Sequence, residues 1–361
     1  MSQPPRTAPA VAIVLGLGLL SCTGSQKEAP RQAPPDPAQV SYAQGKYAAA
    51  LPLLEKALTA GRSGTLLYQI GYCKGAIEGK DGDSKIRLWG EARPLLEGEI
   101  VEPGGATLDR LYYLTAICSE QGEIETMRKF ARQAVDSIEK GPDPNALSGE
   151  DWFRLARIHE FLDEASEGEA AYRRAVSDFR KTPATNPSYQ ALALVRVADL
   201  DYDSRRFEAA ASGYDEALKL IPNLEQVRPF NHGIALLATG RLEDAINAFG
   251  ADRNEVTNTE SQYAADLARK AKAAGGLVKA DADGAPIDSM PLEGLDGRIK
   301  QAGADFRAAR EKHSFRAGDS LPAEVADRQR RFVSLLRERL LQTGEVQEFC
   351  LKEGLADLVR R

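Results

Sequence analysis

His159-Glu160 opens like the zinc-protease helix H-E-x-x-H, in which two imidazoles one turn apart hold a metal and the glutamate activates water. Asp163 stands where the second imidazole belongs. The other histidines, His232 and His313, are remote in sequence, so packing within a helical hairpin is the better reading of His159. Asp281-x-Asp283-Gly284 has the look of a calcium loop. With Gly284 in the sixth position, Lys279 falls first and Met290 twelfth, where acids must ligate. That stretch reads as a solvated linker, and so does Asp81-Gly82-Asp83-Ser84. No glycine-rich phosphate loop, nucleophile elbow or cysteine pair at metal spacing occurs. These residues argue against an enzyme and imply neither metal nor cofactor.

The N-terminus carries a different chemistry. Arg6 is the only charged side chain before Val11 to Leu20, an unbroken apolar run of ten residues. A bilayer needs about 20. The run ends in Leu19-Leu20-Ser21-Cys22, which resembles a bacterial lipobox: a small residue permits cleavage and the Cys22 thiol takes a diacylglycerol. Residues 1–21 therefore read as a lipoprotein signal peptide. Residues 22–38 read as a tether, with prolines at 30, 34, 35 and 37. At ~3.1 Å per residue it could hold the remainder up to ~50 Å from a membrane. Thr23 rather than Asp after the cysteine implies the outer membrane, on its periplasmic face, if the cell has two.

The elements that position the remaining residues are helices. Leu194-x2-Val197-Ala198 is followed by Phe207, Ala210, Tyr214, Ala217 and Pro222; Trp152-x2-Leu155-Ala156-x2-His159 by Gly168, Tyr172 and Ala175. Similar spacings recur around Ala50, Ala92, Met127 and Ala245, at intervals of 42, 35, 41, 42 and 35 residues from Ala50 through Gly168 and Ala210 to Ala245. The pattern resembles the tetratricopeptide repeat (TPR) family, a stack of helical hairpins with a 34-residue period. The longer HEAT-type repeat is the alternative. The excess falls in loops such as Gly141-Pro142-Asp143-Pro144 and Thr182 to Pro187, and in an expected insertion at Gly75 to Leu88. The fold expected is all-α: a TPR-like solenoid of about six hairpins over 39–275, a linker at 276–293, and a small helical segment at 294–361.

The resemblance implies a site. In such arrays the first helix of each hairpin lines a concave groove, which here assigns Tyr68, Tyr112, Phe153 and Phe230 to it. Tyr72, Phe161 and Tyr202 lie one or two turns on, and Arg157 and Asp199 add charge. Rigid rings among charges suit capture of a peptide or a helix, although some of these rings could simply pack between hairpins. Of the remaining cysteines, Cys73 and Cys118 occupy nearly equivalent places in neighbouring hairpins. A bridge there is conceivable, and small buried residues at helix contacts fit better.

The chain has 361 residues and a net charge of −6, which disfavours nucleic acid. The tail from Asp296 is +3, with Arg328, Arg330, Arg331, Arg337 and Arg339 crowded on one expected helix. These make a solvated face or a dock for an acidic partner. The function expected is a lipid-anchored scaffold of the bacterial cell envelope that binds a protein partner in its groove. The alternatives are a peptidoglycan or polysaccharide binding module, or an accessory subunit of an envelope enzyme with its chemistry in the tail.

Overall fold

Five hairpins turn on a residue of positive φ placed five residues before the small position of the second helix. These residues are Gly45, Gly122, Asp163, Arg205 and Gly240. At each, the next amide reaches back across the turn to close the first helix: Lys46 to the Ser41 carbonyl (3.0 Å), Glu123 to Cys118 (2.9 Å), Glu164 to His159 (2.9 Å), Arg206 to Asp201 (2.7 Å) and Arg241 to Leu236 (2.9 Å). This is the six-to-one bond that ends a helix on a left-handed residue. Glycine adopts that conformation freely, whereas Asp163 and Arg205 bear a cost of about 1 kcal/mol each.

The computed structural model describes residues 36–361, apart from 79–82, 140–146, 183–186, 223, 225–226, 255–256, 314–320 and 361. The expected signal peptide, Cys22, most of the expected tether and the Gly141–Pro144 stretch lie outside these. The helices pair in chain order: α1 (Pro37–Ala43) with α2 (Tyr47–Ala60), α3 (Gly64–Glu78) with α4 (Asp83–Val101), and α5 (Leu108–Glu120) with α6 (Ile124–Glu139). Next come α7 (Gly149–Phe161) with α8 (Ala165–Lys181), α9 (Pro187–Asp203) with α10 (Phe207–Leu220), and α11 (Pro229–Ala238) with α12 (Leu242–Gly250). The expected all-α solenoid of six hairpins is therefore the fold, and no strand occurs among the described residues. No described helix is long and apolar enough to cross a membrane.

The small residues work as their spacing implies. Ala198, Ala210 and Ala217 are fully buried. A Cβ on Gly213 would come within 2.9 Å of the Ala198 methyl, so α9 and α10 meet at a distance only small residues allow. The expected insertion at Gly75 to Leu88 is largely helical instead. Helix α3 runs on to Glu78 and α4 starts at Asp83, because Gly75 leaves room for the Lys85 stem that would lie 2.9 Å from its Cβ. Two apolar clusters meet in α7, which sends Leu155 and Ile158 to the N-terminal one and Phe153 and Ala156 to the other.

The C-terminal part joins this second cluster. Helix α13 (Asn258–Ala273) packs on α12 and carries α14 (Leu292–Lys312), α15 (Ala323–Thr343), α16 (Gln347–Lys352) and α17 (Ala356–Arg360) into the same core. The segment expected as a free linker is packed. Ile287 and Met290 are buried, and the Val278 amide donates to Ser334 Oγ (2.9 Å). Asp281 is no calcium ligand: its buried carboxylate accepts from Arg298 of α14 and Arg331 of α15, while Asp283 holds Arg298 at 2.7 Å. Nor do the tail arginines form a free basic face. Arg339 pairs with Asp296 (3.0 Å), Arg330 with Asp327 and Arg328 with Asp305 (3.6 Å), and Arg337 donates to the Ala238 carbonyl (2.7 Å). Cys73, Cys118 and Cys350 are buried free thiols, so no bridge joins the first two. Burial pushes the Cys73 and Cys350 thiols up to about 12.

Candidate functional site: a tyrosine-rich cavity

Seven of the nine residues expected to line an inner surface border one cavity of about 650 Å³: Tyr68, Tyr72, Tyr112, Phe153, Arg157, Phe161 and Asp199. They come from the first helices α3, α5, α7 and α9, whose inner faces the hairpin geometry turns the same way. Tyr202 and Phe230 are elsewhere. Tyr202 packs edge-on against Phe207 (5.8 Å between ring centres) and Phe230 tilts against Phe249 (6.1 Å), each inside its own hairpin. These two rings pack between the paired helices of one hairpin each and do not border the cavity.

Other wall residues escaped the sequence pattern. Tyr42 and Tyr47 enter from the first hairpin, Lys85 and Trp89 from α4, Tyr189 and Arg196 from α9, and Arg228 from the start of α11. The first hairpin reaches so far because the stack curves round until it touches α9. A Cβ on Gly45 would lie 2.6 Å from Ser188 Oγ, and the Tyr47 hydroxyl is hydrogen-bonded to Ser188. Glycine at 45 thus meets two demands at once, a φ of +67° and this approach.

The rings are locked against one another. Tyr68 is stacked between Trp89 (4.8 Å) and Tyr113 (4.2 Å), and the Trp89 indole donates to the Tyr68 carbonyl (3.1 Å). Lys85 Nζ covers the Trp89 ring from 4.4 Å. Phe153 stacks on Tyr189 (5.0 Å), while Tyr42, Tyr47 and Tyr72 meet edge to face at 5.4 to 6.1 Å. With these faces taken, the cavity receives ring edges and hydroxyls. Tyr68 and Phe153 are only 3% and 4% exposed and act as core with one edge on the cavity, whereas Tyr72 is 36% exposed. Burial pushes Tyr42, Tyr47 and Tyr72 above the usual phenol range, so they stay neutral donors across the physiological range.

Charge divides the cavity. Near α4 and α5, Lys85 and Glu120 neutralise each other at 2.9 Å. At the α7–α11 end stand Arg157, Arg196, Asp199 and Arg228, and the adjoining hollow that shares Arg196, Asp199 and Arg228 adds the carboxylates of Glu160, Glu169 and Asp203. Glu160 pairs with Arg157 and lies 3.5 Å from Arg196. Asp199 accepts from the Tyr214 hydroxyl (2.6 Å); burial raises its pKa although that bond and Arg228 oppose the shift. Exposed Arg228 makes no ion pair with any described residue. His159 lies outside the cavity, its Nδ1 2.8 Å from Glu164 across its own hairpin turn. No group of metal-ligating side chains occurs among the described residues.

No family model matches the chain, and no curated protein does. Among solved structures it is similar to BtubC (BKLC) from P. vanneervenii, at 16% identity over 65% of this chain and 91% of that one, with a TM-score of 0.34. A superposition that loose assigns no role to this chain.

Proposed function

We propose that this protein is a non-enzymatic, lipid-anchored scaffold of the bacterial cell envelope. Its hairpins form an array of the tetratricopeptide type, and a segment of a partner protein is held in the tyrosine-rich cavity. The observation that carries the reading is the convergence of first-helix side chains from four hairpins on one cavity of about 650 Å³. Its hydroxyl donors suit the unpaired carbonyls of a bound backbone. The polymer-binding alternative has less support, since sugars bind on free ring faces and Tyr68 and Trp89 have theirs covered. The lipid on Cys22 would confine scaffold and partner to one membrane and raise their effective concentration without new contacts.

A photo-crosslinking residue at position 72 or 112, in the cavity, should give a discrete protein adduct in cells. The same residue at 86, on exposed α4 surface, should not. Retention on purified wall polymer with no adduct from either cavity position would overturn the reading. Independently, Cys22→Ser should abolish labelling by a palmitate analogue and release the protein from membranes. Labelling at the wild-type level would remove the anchor from the proposal.

A further inference from the structure

Hairpins one to five are joined into a circuit by two junctions of unlike character. At α7 the two apolar clusters share a helix, with Leu155 and Ile158 in one and Phe153 and Ala156 in the other. At the other junction hairpin one meets α9 through hydroxyls. The Tyr47 hydroxyl is bonded to those of Ser188 and Tyr72. Helix packing of the kind that joins neighbours along the stack does not link α1 or α2 to α9 among the described residues.

The two sides of this seam belong to different bodies. Tyr42, Ala50 and Leu54 of hairpin one lie in the N-terminal cluster. Tyr189, beside Ser188, is held by the second: it stacks on Phe153 (5.0 Å) and carries the Arg154 guanidinium over its ring at 5.3 Å. The fit at Gly45 depends on a single atom. Apart from chain neighbours, Ser188 Oγ is the only atom within 4 Å of where a Gly45 Cβ would stand, at 2.6 Å. Water replaces bonds between hydroxyls at small net cost, whereas separating either cluster would expose apolar core. The seam is therefore the place where the circuit opens with the least loss.

We propose that this seam is a latch. Hairpins one to three swing as one body about α7, Tyr47 leaves Ser188, and the cavity opens between hairpin one and α9. The closed form predominates, and the open form is a minor state of about 0.1–10%. The latch is a property of the chain itself; its use as the entrance for a partner segment rests on the peptide-capture reading.

Spin labels on cysteines replacing Lys56 of α2 and Lys219 of α10, both exposed, report the separation of hairpins one and five in the full chain. Buried Cys73, Cys118 and Cys350 leave the labels to the new thiols. Gly45→Ala sets a methyl against Ser188 Oγ, and it should turn a minor longer distance into the major one. Adding Ser188→Ala removes the only atom in the way and should restore the shorter distance. Both variants carry the same strain at a φ of +67°, so the reversal separates the seam from the turn. A distance that Gly45→Ala leaves unchanged, or a lengthening that Ser188→Ala does not reverse, would overturn the latch.

The entrance is tested by closing it. Gly45→Cys with Ser188→Cys places two thiols where the approach of 2.6 Å suits a disulfide. Oxidation by diamide should cut the adduct from a photo-crosslinking residue at 112 about tenfold, and dithiothreitol should restore it. Equal adduct from the oxidised and reduced forms would overturn the entrance and leave peptide capture standing. No adduct from either form would overturn peptide capture, with the label distances still deciding the latch.

Discussion

Asp281→Ala should destabilise the full chain by about 3–5 kcal/mol, because it leaves two arginines of a buried ion cluster without their anion. The Asp281 carboxylate is closed off from water and joins Arg298 of α14 to Arg331 of α15, across a segment whose backbone also bonds it at Ala282. Arg331 keeps a second partner in Asp305 at 3.2 Å, and Arg298, 36% exposed, keeps Asp283, which places the loss toward the lower end of that range. The effect is regional. Hydrogen exchange should accelerate in 276–343 and hardly change in α1–α6, whose apolar cluster is separate. The pH dependence has a definite sign. The two arginines hold the Asp281 pKa below the usual carboxylate value despite burial. Its contribution is complete above an unfolded pKa of about 3.9 and fades as the pH falls through the lower folded value. Asp281→Asn should therefore flatten the acid limb of the unfolding curve. A denaturation midpoint within about 0.5 kcal/mol of wild type would show that the cluster does not hold the tail.

Phe153→Ala should cost about 3–5 kcal/mol, the range for removing a buried aromatic ring. Phe153 is 4% exposed, stacked on Tyr189 and edge-on to Tyr172 at 6.0 Å. It belongs to the second apolar cluster at α7, where the two clusters meet. The sequence pattern assigns it to the binding groove, so a partner lost on this substitution would be misread as a lost contact. Tyr68→Ala should behave alike, its ring being stacked on both sides. Tyr72→Ala, more than a third exposed, should cost about 1 kcal/mol and leave circular dichroism unchanged, which makes it the substitution that reports on binding. Urea titration of the three variants checks the order. If Phe153→Ala melts with the wild type, the ring is wall and not core.

What the sequence made legible is what depends on short-range spacing. The interval from turn to small position is five in five of the six hairpins, including the two where Asp163 and Arg205 replace glycine. Most of the groove followed, because Tyr68, Tyr112 and Phe153 sit at equivalent places in successive first helices. What escaped depends on sums and on distant partners. The curvature that brings Tyr42 and Tyr47 to Tyr189 accumulates over four hairpin-to-hairpin angles, none of which a local pattern specifies. Arg331 looked free to meet an acidic partner because its anion lies 50 residues earlier, in a stretch that reads as linker. Tyr202 and Phe230 were misassigned because the periodicity that marks an inner face also marks a face packed on its own second helix.

The contact of Gly45 and Tyr47 with Ser188 has a kinetic consequence. That contact closes the circuit of hairpins one to five, so a peptide held as proposed would pass beneath it as beneath an arch. A free chain end can slip under it, whereas an internal stretch of a folded protein enters only when the two sides part. Association through that gate would be slow and departure slower still.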